Sequence, residues 1–351
     1  MGKIEIRDFD GDLEALSAMA RESWIEEYGE DPYRDLFRPE LVRYLFADVP
    51  DPRFLIAAYD GAKLVAFIAN LPRVYRFNGQ TYKAVVSTMF VSRQGYQGAA
   101  VYLISECLRR NAEFGADFAL MFFVGKHNPW PLFDKYLKPN YRIEVLKTMH
   151  AIVHPVDFEK ITESQNLKWY EVVAIKLLGA HRPITAPSVS GAVRPYSDAD
   201  LVEILALTNR YSDQNCLVRV FDEELLARRL HTEAVTSTVV YERGGAIEGF
   251  INFSTHDMIN NRRSHRWAWL DFLYWEGLSG AEKQALLAGF WEASRDQGCI
   301  GLLEWSKNYY AKGALFRAHF IPYLPFVEMS AWVFNPDLSL QGVDKIFDEV
   351  I

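Results

Sequence analysis

The chain is poor in cysteine. Cys107, Cys216 and Cys299 are its three, far apart and without a C-x-x-C spacing. An odd, scattered set argues against a disulfide framework or a thiolate metal knuckle. It reads as small buried hydrophobes in a reducing cytoplasm. A basic run is also missing. Lys and Arg number 38 against 46 Asp and Glu, a formal net charge of −8, so nothing supplies the cationic stripe that a nucleic-acid groove needs. No apolar stretch reaches the ~18 residues that span a bilayer. The opening residues MGKIEIRDFDGDLEAL carry no apolar signal core. These absences set the expectation of a cytoplasmic protein with no nucleic-acid or membrane partner and no metal.

What is present suits two domains. Half of the 351 residues are apolar or aromatic, enough for sizeable cores. The chain also repeats itself, at a spacing of about 180–187 residues, through ordered landmarks rather than identity. Each half opens with a short strand and an Asp-rich turn before an apolar-periodic helix: IEIRDFDGDLEALSAMARESW, then GAVRPYSDADLVEILALTNRY. Strand pairs follow, split at Asp60-Gly61 and Asn78-Gly79 in the first half and at Gly244-Gly245 and Asn260-Asn261 in the second. Such dipeptides supply the positive φ of two-residue hairpins. A helix comes next, from about Gly98 to a stop near Gly115, and from Ser279 to a stop near Gly298. A buried strand follows, FALMFFV or IGLLEW, and then an aromatic segment opened by Asn128 or Asn308.

The order in each half is therefore β-α-β-β-β-α-β-α-β, an antiparallel meander followed by a crossover. This predicts an α+β fold: a tandem pair of domains, each a mixed, mostly antiparallel twisted sheet flanked by helices. The boundaries fall at 1–154, a helical connector and linker at 155–190, and 191–351. In the connector, VDFEKITES and KWYEVVAIKLLGA look helical, and HRPITAPSVSG looks like an exposed linker.

That order, with a Gly-containing turn between the fourth strand and the next helix, resembles the acyl-CoA N-acyltransferase (GNAT) superfamily. The family signature there is (Gln/Arg)-x-x-Gly-x-(Gly/Ala). This chain offers Gly95-Tyr96-Gln97-Gly98-Ala99-Ala100, with matches at Gly98 and Ala100. Gly95 departs from the usual Gln or Arg; Arg93 or Gln94 stands in if the turn differs by one residue. Backbone N–H groups at a helix N-terminus, backed by the helix dipole, make an anion cradle, and small residues let a diphosphate approach. The resemblance therefore implies that this turn grips the pyrophosphate of acetyl-CoA or another acyl-CoA. It also implies that Met89, Phe90 and Val91 lie along the pantetheine, with an amide near Met89 or Phe90 facing the oxyanion and Thr88 assisting.

A second family landmark, Asn…Leu-Tyr-x-x-(Leu)-Gly-Phe, resembles Asn128 with Leu132-Phe133-Asp134-Lys135-Tyr136. Phe133 takes the place of the tyrosine that protonates the leaving thiolate, and Tyr136, about one helical turn on, is the substitute. In the second half the loop EGLSGAEKQALL lacks the signature. Ser279 and Glu282 instead spell a capping box that occupies and repels at the same helix end, so this copy is read as degenerate for the cofactor. Tandem copies occur in families resembling N-myristoyltransferase and mycothiol synthase. The myristoyltransferase-like arrangement would bring the terminal carboxylate of Ile351 to the site.

The chemistry implied is acyl transfer to a neutral amine of a small molecule or peptide, which requires a proton acceptor and an oxyanion donor. Glu27 (with Glu26) and His127 are candidate bases. Asp271 interrupts the apolar strand RWAWLDFLYW; it is either a site residue or on the strand's exposed side. Trp24, Tyr28 and Tyr33, and Tyr309 with Tyr310, either line a pocket or pack. Two other functions stay open: a non-catalytic binding protein that keeps the fold, and an acyltransferase fed by an acyl carrier protein. The expected state is a monomer or homodimer.

Overall fold

The computed structural model describes residues 4–29, 33–124, 142–211, 215–260 and 262–350. The chain begins β1 (Ile4–Asp8), α1 (Leu13–Tyr28), β2 (Tyr33–Arg34), α2 (Pro39–Phe46). A meander follows: β3 (Leu55–Asp60), β4 (Lys63–Phe77), β5 (Gln80–Ser92), then α3 (Gln97–Phe114), β6 (Phe118–Val124) and β7 (Arg142–Pro155). The connector folds as α4 (Phe158–Ser164) and α5 (Trp169–Leu177). The second half runs β8 (Ala192–Pro195), α6 (Leu201–Arg210), β9 (Cys216–Arg219), α7 (Glu223–Leu230), β10 (Thr236–Arg243), β11 (Ala246–Asn260) and β12 (Arg263–Tyr274). It ends with α8 (Gly280–Asp296), β13 (Gly301–Glu304), α9 (Gly313–Arg317), β14 (Ile321–Val333) and β15 (Lys345–Phe347).

Local chemistry explains most of these bounds. The Asn78-Gly79 turn takes φ of 48° and 80°, the left-handed pair that a two-residue hairpin demands. Asp12 and Asp222 cap α1 and α7 by accepting the amides of Ala15 and Leu225. Gly115, at φ 74°, stops α3.

Two compact units result. The first holds Met1–Thr148 and Val327–Asp344; the second holds Met149–Phe326 and Lys345–Val350. In the first, β1, β3, β4 and β5 form the antiparallel meander, and β6 joins β5 in parallel after the α3 crossover. The sheet is then extended by residues 327–333 of β14, antiparallel to β6. In the second, β8, β10, β11 and β12 repeat the meander, and β13 joins β12 in parallel after α8. Residues 152–155 of β7 then pair antiparallel with β13. β14, late in the second half of the sequence, thus completes the sheet of the first unit, and β7, at the end of the first half, completes that of the second.

This exchange corrects the expected boundaries at 154 and 190. Sequence order favours contiguous domains, whereas residues 327–344 belong to the first compact unit and 149–190 to the second. Trp332 shows the energetic weight of the exchange. It is fully buried against Phe54, Val85, Ile104, Leu108, Ala119 and Met121. Truncating such a side chain costs about 3–5 kcal/mol. Asp117 holds the segment that follows, accepting the amides of Phe334 and Asn335 on its carbonyl. In the second unit β15 pairs in parallel with β9.

Candidate functional site

The site is built where β5 leaves its neighbours. β5 and β6 pair at Ala84–Phe118, Val85–Ala119 and Val86–Leu120. Both strands then continue, to Ser92 and Val124, with no further rungs among the described residues. The second departure faces β4. Phe67 pairs with Val91 and Ala69 with Thr88, so Met89 and Phe90 stand opposite Ile68 alone. Met89 adopts φ 57°, a left-handed conformation that costs a non-glycine residue about 1–2 kcal/mol. A bulge of this kind takes a peptide unit out of the ladder and re-aims it. Met89 and Thr88 are buried, while the ring of Phe90 is 38% exposed.

Just ahead of the bulge, a buried polar cluster pins β5. The Ser87 hydroxyl donates to Asn70 Oδ1 at 2.6 Å and the Cys107 thiol donates to the same oxygen at 3.2 Å. This ties β4, β5 and α3 together. Burial pushes the Cys107 thiol up to about 11, so it is a hydrogen-bonding hydrophobe and not a nucleophile.

The turn from β5 into α3 is open. Tyr96 is the N-cap and gives no side-chain cap; no acidic residue lies in the first turn. The amides of Tyr96, Ala99 and Ala100 bond within the turn. Those of Gln94, Gly95, Gln97 and Gly98 have no partner among the described residues. Gly95 has φ 83°, and a Cβ at Gly95 or Gly98 would meet nothing within 4 Å. Four unpartnered amides thus lie at or just before the positive end of an 18-residue helix, where an anion is favoured.

Nearby side chains are already engaged. The Arg93 guanidinium pairs with Glu22 and donates to the Leu64 carbonyl at 3.0 Å. The pair couples the end of β5 to α1, and the bond to Leu64 braces the strand end. The Tyr96 hydroxyl donates to Asp60 at 2.9 Å, which raises its pKa. Lys63 Nζ lies 6.0 Å from the Tyr96 ring centroid.

The other candidates divide. Glu27 and Glu26 are exposed in the last turn of α1, a helix that packs on β4 and β5. His127, Asn128, Phe133, Tyr136 and Ile351 lie outside the described residues. Trp24 packs against Phe37, Tyr33 and Tyr28 at ring separations of 5.1, 5.6 and 6.0 Å, an aromatic cluster of which Tyr28 is half-buried. Tyr309 is likewise buried, accepting the Leu273 amide at 2.8 Å.

The second unit has the corresponding features, but they are filled. Its parallel rungs end at Trp269–Leu303. A bulge places Asp271 between the rungs Phe253–Leu270 and Asn252–Phe272. Asp271 is 3% exposed, so the exposed-side alternative is excluded. The freed carbonyls of Leu270 and Asp271 accept from the Lys307 ammonium, as does Asp348. Burial lowers the Lys307 pKa, and the carboxylates of Asp271, Glu304, Asp348 and Glu349 oppose that. At the N-terminus of α8, Ser279 and Glu282 form the capping box, with Glu282 accepting the Ser279 amide at 2.7 Å. Those bonds hold the Glu282 carboxyl down to about 2. Sequence reasoning missed Lys307 because nothing local marks a lysine that answers carbonyls 36 residues away. Among the described residues, no group of three or more His, Cys, Asp or Glu is placed to hold a metal ion.

No family model matches the sequence, and no curated protein does. Solved structures do match. A Saccharomyces cerevisiae N-myristoyltransferase with bound myristoyl-CoA and inhibitors is 16% identical and aligns over 100% of this chain and 87% of its own, with a TM-score of 0.75. A second structure of that yeast enzyme, with bound myristoyl-CoA, is 15% identical over 98% and 83%, with a TM-score of 0.74. A GCN5-related N-acetyltransferase from Kribbella flavida is 13% identical over 95% and 71%, with a TM-score of 0.54. At these identities the likeness is one of fold. The chain has the α+β GNAT fold in the two-halved form of the N-myristoyltransferases.

Proposed function

We propose that the chain is an acyl-CoA-dependent N-acyltransferase whose donor is held by the first unit. One observation carries this reading: a turn and helix N-terminus with four unpartnered amides, Gln94 and Gly95 before the N-cap and Gln97 and Gly98 in the first turn of α3, follow a strand that has parted from its parallel neighbour. The amides of Gln94, Gly95, Gln97 and Gly98 would hold the diphosphate. The gap beyond Val86 and Leu120 would admit the pantetheine, whose amides need strand-like partners. The thioester carbonyl would then lie against the bulge at Met89–Phe90, where a re-aimed peptide N–H stabilises the oxyanion.

In the reaction a neutral amine attacks the thioester carbon. The C–N bond forms, the C–S bond breaks, the amine loses a proton and the thiolate gains one. Glu27 and His127 are the candidates for taking the first proton, and Tyr136 for supplying the second. The acceptor is an amine of a small molecule or peptide, and acetyl-CoA is the first donor to test. The plugged second unit supports one donor per chain. Calorimetric titration with acetyl-CoA and myristoyl-CoA tests this: the expected result is saturable binding of one equivalent, and absence of heat with both refutes it.

A further inference from the structure

We propose that the outer face of α5 seats the protein on an anionic lipid surface, lying on it without crossing. The inference does not depend on the acyltransferase reading. The helix reads WYEVVAIKL, apolar at every position but Glu171 and Lys176, yet none of its residues is buried. A helix apolar around most of its circumference belongs in a core; this one stands outside. Val172, Ile175 and Glu171 are half-buried against the unit. The opposite arc holds Trp169, Tyr170, Val173, Ala174 and Leu177, all exposed and without a charge among them. Trp169 is 77% and Leu177 83% exposed.

Charge selects the occupant. Residues 165–182 carry Lys168, Lys176 and Arg182 against Glu171, a local excess of two positive charges on a chain of net −8. The Glu171 carboxylate is held at 2.7 Å by the Lys168 amide. A second copy docking symmetrically would bring these cations together, which disfavours it. Anionic headgroups answer them, while Trp169 and Tyr170 suit the interface and the lysine stems reach along it. Nine residues of helix extend about 14 Å, half of a ~30 Å hydrocarbon core. No helix among the described residues is long and apolar enough to cross a membrane, so the expectation of no membrane partner is revised only for surface contact.

The test is co-sedimentation of the full chain with vesicles of phosphatidylcholine alone or with about 30 mol % phosphatidylserine. The expected result is binding to the anionic vesicles, weakened by salt and about tenfold or more weaker on neutral ones. The triple variant Trp169→Ser, Val173→Ser, Leu177→Ser and the pair Lys176→Glu, Arg182→Glu should each lose about tenfold or more. All five positions are exposed or partly so, and unchanged thermal unfolding verifies the fold. Absence of wild-type binding, or equal binding by the variants, overturns the proposal. So does a wild-type dimer abolished by the triple variant while the vesicles stay bare, which would make the face a self-interface.

Discussion

Glu substituted at Gly98 separates stability from binding. Gly98 is the second residue of α3, in the uncapped first turn, and a side chain there enters open space. In the free protein the new carboxylate should help. It meets the helix dipole, worth about 0.3–1 kcal/mol, and replaces the poor helix former glycine, worth a further ~0.5 kcal/mol. The melting temperature should therefore hold or rise by a few degrees (about 2–4 °C per kcal/mol). In the complex the same carboxylate faces the diphosphate. At about 5 Å and an effective dielectric near 20, each like-charge pair costs about 3 kcal/mol, which screening reduces to about 2–3 kcal/mol. The dissociation constant for acetyl-CoA should rise by about 30- to 150-fold. Gly98→Ala, without the charge, should cost far less. Calorimetry and thermal unfolding on the same samples read both quantities. Unchanged affinity in Gly98→Glu would refute the anion-cradle argument, and affinity lost together with stability would make it uninformative about charge.

Three further outcomes follow from buried groups. Lys307→Met removes the donor to the carbonyls of Leu270, Asp271 and Asp348; denaturant unfolding should show a loss of about 3–5 kcal/mol, and a loss below about 1 kcal/mol would contradict the plug. Burial pushes the His154 pKa down to about 4, so the unfolded chain takes up the proton first as pH falls below about 6.5. Stability present at neutral pH is then lost on acidification, by about 2 kcal/mol between pH 7 and 5. His154→Phe, beside Phe320 at 5.4 Å, should flatten that share of the slope in urea titrations at the two pH values. Cys107, Cys216 and Cys299 are all buried, so Ellman's reagent should find no fast thiol in the native protein and three after denaturation; rapid native labelling would place a cysteine at the surface.

The main elements of the repeat were legible in the sequence, whereas the short β2, α2, β9, α7 and β15 were not. Asn78-Gly79 and Gly244-Gly245 turn where their φ freedom requires, Gly115 ends α3, and Ser279 with Glu282 forms the box that its four-residue spelling announces. The open turn at 95–100 could be proposed because it depends on neighbours in the chain. The ion pair of Arg93 could not, because its partner Glu22 is 71 residues away. Asp271 was ambiguous for a related reason. Alternation along a strand assigns faces only while the period of two holds, and the bulge breaks it at that residue.

The sequence by itself determined the hairpin turns, the stop of α3 at Gly115, that the pattern occurs twice, and that the N-terminus of α8 carries its own cap. Those properties are encoded within a few consecutive residues, through backbone φ preferences and side chains that reach their own main chain. Only the tertiary structure decided which sheets β7 and β14 complete, where β5 parts from β6, and that a distant lysine bonds the freed carbonyls of the second bulge. Strand pairing and the burial of charge are settled between residues far apart in sequence, where the free energy depends on who the neighbours are and not on local propensity.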